Sequence, residues 1–313
     1  MTAPGPRAII DWLLESGRAI DTTPLPTLED WLPRFARVRA EWTHSADRAI
    51  AGGFLADRLA YAFAAGYESA LGRLVPSLDD GATAALCVTE EGGGHPKAIR
   101  TTLVRDGDAS WRMTGRKKFV SMAADAKRLF VAATRGARDD GTSDLRLVAI
   151  DLPATGVAIE LMKDLPFIPE IRHGALAIHN ATVADDQILP GDGYTDYIKP
   201  FRTIEDIHVT AAAVAFACRC ACLFGWPSPL RERMLTALVT LRTLSDDDPS
   251  SPAVHILYAG AAGMVAEIMR EAQTLFDAAD EATHAAWARD SALLDVAGSA
   301  RAARRAKAWE HYN

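Results

Sequence analysis

The chain has 313 residues, of which 49% are hydrophobic and 24% are charged, a balance typical of folded globular proteins rather than disordered or fibrous ones. This length leaves room for two or three hydrophobic cores. The net charge of −7, from 34 Lys and Arg against 41 Asp and Glu, lacks the basic excess that nucleic-acid binding requires.

The first 80 residues are predicted to form a helical N-terminal domain. Apolar residues recur at steps of three and four over 28–42, and Thr27 with Asp30 three positions later is typical of a helix N-terminal cap. A second, longer helix is predicted to begin at Ser45 and to continue as far as Phe63. A shorter helix around residues 9–14 precedes both.

The central region, residues 81–193, is predicted to be a β domain. Short runs of β-forming residues follow Gly81, where the helical pattern ends. Asp106-Gly107 lies between two such runs and indicates a hairpin, because glycine tolerates positive φ. The spacing of the runs favours an antiparallel barrel or sandwich. Since the strands do not alternate with helices, a doubly wound parallel sheet is not expected.

Residues 194–313 are predicted to form a C-terminal helical bundle. Pro227, Pro229 and the segment 246–252 divide this region into about four helices, and its many alanines permit close helix packing. The whole chain is therefore predicted to be an α+β protein, with helices at both ends and a central antiparallel β-barrel or sandwich.

The cysteines are predicted to be reduced core thiols rather than metal ligands. If their segment is helical, Cys218 and Cys222 share one face while Cys220 points away, so the three do not converge on one ion. No apolar signal begins the chain, and no apolar run approaches the roughly 18 residues of a membrane span. We therefore expect a cytoplasmic protein without a membrane segment.

Two segments of the β region carry the strongest functional signal. In the first, residues 86–96, a strand runs into the glycine-rich turn Glu91-Gly92-Gly93-Gly94, whose backbone N–H groups have few side chains to block a ligand. A plain turn between strands is the alternative interpretation. In the second, residues 113–123, a hairpin strand reads Gly-Arg-Lys-Lys-Phe-Val-Ser from Gly115.

In this order and with this gap, the two motifs resemble the middle domain of the acyl-CoA dehydrogenase family, whose members carry Thr-Glu-Pro-Gly-x-Gly-Ser and then Gly-x-Lys-x-Phe/Trp-Ile-Thr/Ser. Residues 183–191 are similar to the family's exit from the β domain into the helical bundle. The resemblance implies that family's fold and an FAD cofactor whose flavin ring lies against the β domain. Two departures are that His95-Pro96 replaces Ser-Asp and that the segment from Arg219 to Gly225 is spaced differently from the family's Arg-x-x-Phe-Gly.

The resemblance also implies which residues hold the flavin. The first strand and turn would be lined by Leu86, Val88, Thr89, Gly94 and His95. The flavin ring would be flanked by Phe119 and Ser121 from the second motif. Thr89 and Ser121 are the expected hydrogen-bond donors, because each unpaired polar group of a buried ring would cost about 1–3 kcal/mol.

The family's chemistry also requires a carboxylate that takes the α-proton of a thioester while hydride leaves the β-carbon. In most members this Glu follows a Gly-Gly-x-Gly segment, which does not occur before Asn313. Some relatives take the base from the first helix of the C-terminal bundle, and Glu205 and Asp206 occupy about that place. The alternative is a surface ion pair of these acids with Arg202, worth under about 1 kcal/mol.

The resemblance therefore implies an FAD-dependent oxidoreductase that acts on an acyl-CoA thioester in fatty acid metabolism and passes electrons to an acceptor protein. The alternative is a non-catalytic subunit or binding module that partners a complete dehydrogenase. Either version is expected to form a homo- or hetero-oligomer, since unpaired helices would leave apolar surface to bury.

Overall fold

A computed structural model describes residues 5–313. Four helices come first, α1 (Pro6–Ser16), α2 (Leu28–Glu41), α3 (Ser45–Leu55) and α4 (Leu59–Leu74). Seven strands follow, β1 (Ala84–Cys87), β2 (Thr102–Arg105), β3 (Ser110–Val120), β4 (Arg128–Ala137), β5 (Ser143–Asp151), β6 (Val157–Leu161) and β7 (Gly174–Ala184). Five further helices are α5 (Lys199–Leu223), α6 (Ser228–Leu244), α7 (Pro252–Asp277), α8 (Glu281–Asp290) and α9 (Gly298–Glu310). This order of helices, sheet and helices confirms the predicted α+β fold class.

Helix α2 begins as its sequence predicts. The Thr27 side chain accepts from the Asp30 backbone N–H at 3.2 Å, and the Asp30 carboxylate accepts from the Thr27 N–H at 3.1 Å, which completes a capping box. The apolar face then buries Leu28, Trp31, Phe35 and Val38. The capping box and this buried stripe together fix where the helix starts and which side faces the core.

Replacing the cap residue gives a direct test of this local assignment. Thr27→Ala is expected to lower the free energy of unfolding by about 1 kcal/mol, because an N–H at the start of α2 loses its acceptor. The measurement is urea denaturation, with Thr22→Ala, an exposed threonine outside the helix, as the control. Equal effects of the two substitutions would contradict the capping role.

The helix predicted from Ser45 to Phe63 is in fact two helices, so that prediction is wrong. The chain is extended at Ala56, and the Asp57 carboxylate accepts from the Leu25 N–H at 2.9 Å. Arg58 holds the same turn by donating to Asp57 and to the Leu25 carbonyl. These partners come from the segment before α2, so the break is stabilised by tertiary contacts rather than by a local signal.

Two glycines allow α3 and α4 to lie against the backbone of α5. A Cβ on Gly53 would be 2.2 Å from the Ala212 carbonyl oxygen, and one on Gly66 would be 2.6 Å from the Val209 Cα. Neither position can hold a larger residue without separating the helices. The alanines of α5 around these contacts are fully buried, as their close-packing role predicts.

The strands form one seven-stranded sheet. Strand β4 pairs with β5 along one edge and with β1 and then β2 along the other, and the order continues through β3 and β7 to β6. The predicted hairpin is present between β2 and β3, where Gly107 has φ +82°. The pairings β1–β4 and β2–β4 are parallel, which differs from the antiparallel arrangement expected throughout. The segments between these strands are long enough for the crossovers that parallel pairing needs.

The C-terminal region has five α-helices where about four were expected. The boundaries at Pro227 and at 246–252 lie where the prolines predicted them. The extra boundary precedes α8, where the Asp280 side chain accepts from the Thr283 N–H at 3.0 Å. That boundary carries an N-cap signal in the sequence, with no proline or glycine to mark it.

Two helices are long and apolar enough to cross a membrane by length and composition alone, which differs from the sequence-based expectation. They are the segment Gly193–Leu223 and helix α7. In the most apolar 18-residue stretch of each, 72% of the first is buried inside the protein and 33% of the second. Alanine supplies much of this apolar character, as it also does in packed core helices. The burial of the first segment is that of a core helix.

The chain divides into two compact units. The helical unit joins residues from both ends of the chain, namely 1–76, 166–170 and 202–313, and the sheet unit comprises 77–165 and 171–201. The core of the sheet unit is apolar, with Leu103, Met113 and Leu129 nearly or completely buried. All four cysteines are free thiols, and burial raises the pKa of Cys220 to about 12. Within residues 5–313, no three His, Cys, Asp or Glu side chains form a group that can hold a metal ion.

Candidate functional site

The two sequence motifs of the sheet unit lie side by side. The Lys118 N–H donates to the Thr89 carbonyl at 2.7 Å, and Lys117 Nζ lies 2.6 Å from Glu90 Oε1. One contact therefore joins the main chains and the other joins buried side chains. The main-chain contact places Thr89 next to the strand segment that leads to Phe119 and Ser121.

The Glu90 carboxylate is the centre of a buried polar cluster. It accepts from the backbone N–H groups of Arg100 and Thr101 at 2.7 and 3.0 Å, and from the Thr101 hydroxyl at 2.8 Å. Desolvation alone would raise the pKa of Glu90, but the charge and hydrogen bonds of Lys117 and Thr101 hold it below its usual value. With every partner in place, the cluster fixes the glycine-rich turn against β3.

The glycine-rich turn is closed on itself before it reaches Gly94. Glu90 and Gly93 exchange two backbone hydrogen bonds of 3.1 and 2.9 Å, and Gly93 has φ +97°, a conformation that only glycine adopts without strain. A Cβ on Gly94 would lie 3.6 Å from Thr89 Oγ1 and 3.8 Å from Val88 Cγ1. The missing side chain at Gly94 therefore leaves a small recess beside two of the predicted flavin-binding residues.

His95 has a defined local role. It precedes the short 3₁₀ helix Pro96–Ala98, and its Nδ1 accepts from the Lys97 N–H at 3.2 Å. With Nδ1 accepting, the proton of the neutral ring is on Nε2, which is free to donate outward from this exposed residue. The imidazole thus supplies a donor at the position where the family has serine.

Phe119 is held in an unusual conformation at the surface of the sheet unit. Its φ is +55°, and β3 loses register with β7 between Lys117 and Val120. The side chain is 56% exposed although it is large and apolar. A non-glycine residue with strained backbone and an exposed aromatic ring indicates a binding function, because neither feature stabilises the fold.

These residues fit a flavin ring. Phe119 supplies an exposed aromatic face, Thr89 and Ser121 supply half-buried hydroxyls, and Gly94 lets a ligand approach the backbone. Leu86 and Val88, also half-buried, add apolar surface on the first strand. The site combines mostly apolar contacts with a few polar groups, as small-molecule sites do.

Ser121 has a partner that the sequence analysis did not identify. Its Oγ lies 3.2 Å from His173 Nε2, and His173 Nδ1 lies 2.9 Å from the Ile171 carbonyl oxygen. Desolvation lowers the pKa of His173 below its usual value. The two residues are 52 positions apart in the chain. No spacing rule would have connected them.

In the helical unit, Glu205 and Asp206 occupy different environments although they are adjacent on α5. Desolvation raises the pKa of Glu205 to about 7, and the negative charge of Asp206 adds to this rise. Among residues 5–313, no side chain donates a hydrogen bond to the Glu205 carboxylate or forms an ion pair with it. Glu205 is therefore a half-buried carboxyl group whose proton affinity is matched to neutral pH.

Asp206 is held by the C-terminal helix. Its two carboxylate oxygens pair with Arg301, at 3.4 Å, and with Arg304 of α9. These partners differ from Arg202, the residue that the sequence suggests, and they connect α9 with the acids of α5. Because both Asp206 oxygens are engaged, Asp206 has a structural role and Glu205 is the stronger candidate for a base.

Arg219 lies inside the helical unit. It is 4% exposed, and its guanidinium donates to the Asp21 carbonyl at 2.5 Å. Arg219 is on α5, and Phe224-Gly225 lies just beyond the end of that helix. This arginine links α5 to the segment before α2.

The motifs of the sheet unit match a known domain family. Residues 85–181 match the family model described as acyl-CoA dehydrogenase, middle domain. Over 97% of both chains, the fold is similar to butyryl-CoA dehydrogenase from Megasphaera elsdenii, with a TM-score of 0.71 and 13% sequence identity. Residues 85–181 are therefore similar to the acyl-CoA dehydrogenase middle domain, and the whole chain has an acyl-CoA dehydrogenase-like fold.

Two other solved structures show the range of acyl-CoA dehydrogenase folds that this chain resembles. A glutaryl-CoA dehydrogenase from Mycobacterium smegmatis in complex with FADH2 has a TM-score of 0.61 and 14% identity, over 97% of this chain and 94% of that chain. A prolyl acyl carrier protein oxidase has a TM-score of 0.67 and 13% identity, over 96% and 98%. No curated protein matches the sequence. At these identities the likeness is one of fold.

Proposed function

We propose that this protein is a member of the acyl-CoA dehydrogenase family, an FAD-dependent oxidoreductase that dehydrogenates a CoA thioester. The observation that carries the proposal is the carboxyl group of Glu205, which forms no ion pair with the arginines that hold Asp206 and has a pKa of about 7. A general base is most effective when its pKa is near the working pH. An ordinary structural acid on a helix would instead be paired or fully solvated.

In the proposed reaction, Glu205 removes a proton from the carbon next to the thioester carbonyl. FAD, when bound, would accept the hydride that leaves the neighbouring carbon, so that a carbon–carbon double bond forms and two electrons leave the substrate. The Glu205 carboxylate is then protonated and must release that proton to solvent before the next turnover. An electron-transfer acceptor protein would reoxidise the cofactor.

The flavin would be held by the residues of the sheet unit. Phe119 would contact the ring face, Thr89 and Ser121 its polar edge, and the recess at Gly94 would admit part of the cofactor. His95 Nε2 would donate to a polar group of the cofactor. This assignment is supported by the hydrogen bond that joins the two motifs and by the exposed aromatic ring between them.

The substrate class and setting of this reaction are also proposals. The names of the similar structures include a butyryl-CoA and a glutaryl-CoA dehydrogenase and an acyl carrier protein oxidase, which supports an acyl thioester as substrate. We propose CoA as its carrier, a cytoplasmic location and an oligomeric state.

Flavin binding is the direct test. The purified protein is expected to be yellow, or to become so with added FAD, and Phe119→Ala is expected to weaken FAD binding roughly tenfold through loss of ring contact. Val104→Ala, which shortens another exposed apolar residue of the same sheet, is the control and should bind FAD as the parent does. Binding is measured by quenching of flavin fluorescence. A protein that stays colourless after incubation with FAD and removal of the unbound cofactor would favour the non-catalytic subunit.

A further inference from the structure

We infer that His173 is a positioning residue that turns the Ser121 hydroxyl into a hydrogen-bond acceptor for the bound flavin ring. The inference rests on the proposed flavin site. It connects Ser121, which belongs to the second motif, with His173, which belongs to neither motif. Its basis is the chain of contacts from the Ile171 carbonyl through the His173 ring to Ser121.

The donor and acceptor roles in this chain follow from the Ile171 carbonyl. A carbonyl oxygen can only accept, so His173 Nδ1, 2.9 Å away, must carry the proton that is shared with it. In the neutral ring the other nitrogen, Nε2, then has a lone pair and no proton. Ser121 Oγ, 3.2 Å from Nε2, is therefore the donor in their hydrogen bond.

The burial of His173 supports the neutral ring. The residue is half-buried, and desolvation lowers its pKa below the usual value, opposed only in part by the bond to Ile171. With its single proton directed at His173, the Ser121 hydroxyl offers only lone pairs to any other partner. The sequence predicts Ser121 as a hydrogen-bond donor to the cofactor, whereas this geometry makes it an acceptor.

An acceptor at this position affects the two redox states of a flavin differently. The reduced ring has more N–H groups than the oxidised ring, so a fixed acceptor stabilises the reduced form more, whereas a hydroxyl that can rotate serves either form. His173 would thus make the reduced cofactor bind more tightly relative to the oxidised one. Ser121 is present with or without this histidine, so the preference for reduced FAD would be caused by His173.

The test measures how much more tightly the protein binds reduced FAD than oxidised FAD. The ratio of the two dissociation constants follows from the difference between the reduction potentials of bound and free FAD. His173→Leu, which removes the acceptor, is expected to decrease the preference for reduced FAD roughly fivefold, the worth of one hydrogen bond. His173→Gln, whose amide oxygen can accept from Ser121, is expected to restore most of that preference. His179→Leu, at an exposed histidine of β7 in the same unit, is the control and should leave it unchanged.

A double-mutant cycle shows whether the histidine acts through the serine. In a Ser121→Ala background, His173→Leu is expected to cause no further change. An equal change in both backgrounds, or a stronger preference for reduced FAD in His173→Leu, would overturn the inference while leaving flavin binding intact. If the parent protein binds no flavin, the proposed function itself is wrong and this inference is wrong with it.

Discussion

Glu205→Gln is expected to slow thioester dehydrogenation by a factor on the order of 10²–10⁴, because the amide cannot take the α-proton. Bound FAD should be retained, so that the loss appears in the rate at which an acyl-CoA bleaches the flavin under anaerobic conditions. In the parent, this rate is expected to rise with pH and to level off above the Glu205 pKa of about 7, since only the ionised carboxylate is a base. The variant should lack this pH dependence.

Asp206→Asn provides the matched neighbour for this experiment. Its carboxylate pairs with Arg301 and Arg304, so the substitution is expected to change the free energy of unfolding and to leave the rate of bleaching close to that of the parent. Glu205→Gln should have the opposite profile and be more stable than the parent above pH 7. A raised pKa in the folded state means that the folded protein holds the Glu205 proton more tightly, so ionisation disfavours folding. Unchanged bleaching by Glu205→Gln would show that Glu205 is not the base.

Lys117→Met is expected to lower the free energy of unfolding by about 3–5 kcal/mol, because it leaves the buried Glu90 carboxylate without its charged partner. The Lys117 side chain is fully buried and that of Glu90 is 7% exposed, so water cannot replace the lost contact. FAD affinity should fall as well, since this pair holds the glycine-rich turn against β3. Chemical denaturation and flavin titration measure the two effects.

The neighbouring residue supplies the control for that substitution. Lys118 pairs with Glu91, but both side chains are exposed, so Lys118→Met is expected to change the free energy of unfolding by under about 1 kcal/mol. The double variant Glu90→Gln plus Lys117→Met should be less destabilised than Lys117→Met alone, because no charge stays buried. Since the Glu90 pKa is lowered in the folded state, its contribution is present above 4.5 and is lost as the pH falls below that value. Similar effects of both lysine variants would contradict the burial argument.

The sequence predicted those parts of the fold that depend on local signals. The capping box at Thr27, the hairpin at Gly107 and the helix boundary at Pro227 each follow from residues within a few positions of one another. The break between α3 and α4 has no such signal, because Asp57 is held by Leu25 from 32 positions away. Parallel pairing of β1 with β4 likewise depends on strands that are distant in the chain.

In the candidate site, too, local sequence signals could be predicted and contacts between distant residues could not. The motifs around Thr89 and Ser121 were found from their residue types and order, and the structure places them side by side. Which of Glu205 and Asp206 is free could not be predicted, because the deciding arginines belong to α9. The contact of His173 with Ser121 could not be predicted either, since their distance is set by the pairing of β3 with β7.

The division of the chain into units has a consequence for synthesis on the ribosome. The sheet unit is complete once residue 201 has emerged, whereas the helical unit still needs residues 202–313. Nascent chains of intermediate length would therefore carry a finished sheet and four unfinished helices, with Trp31 and Phe54 lacking their final neighbours. Ribosomes stalled before α5 emerges should thus yield nascent chains whose sheet resists protease and whose first 76 residues are cut.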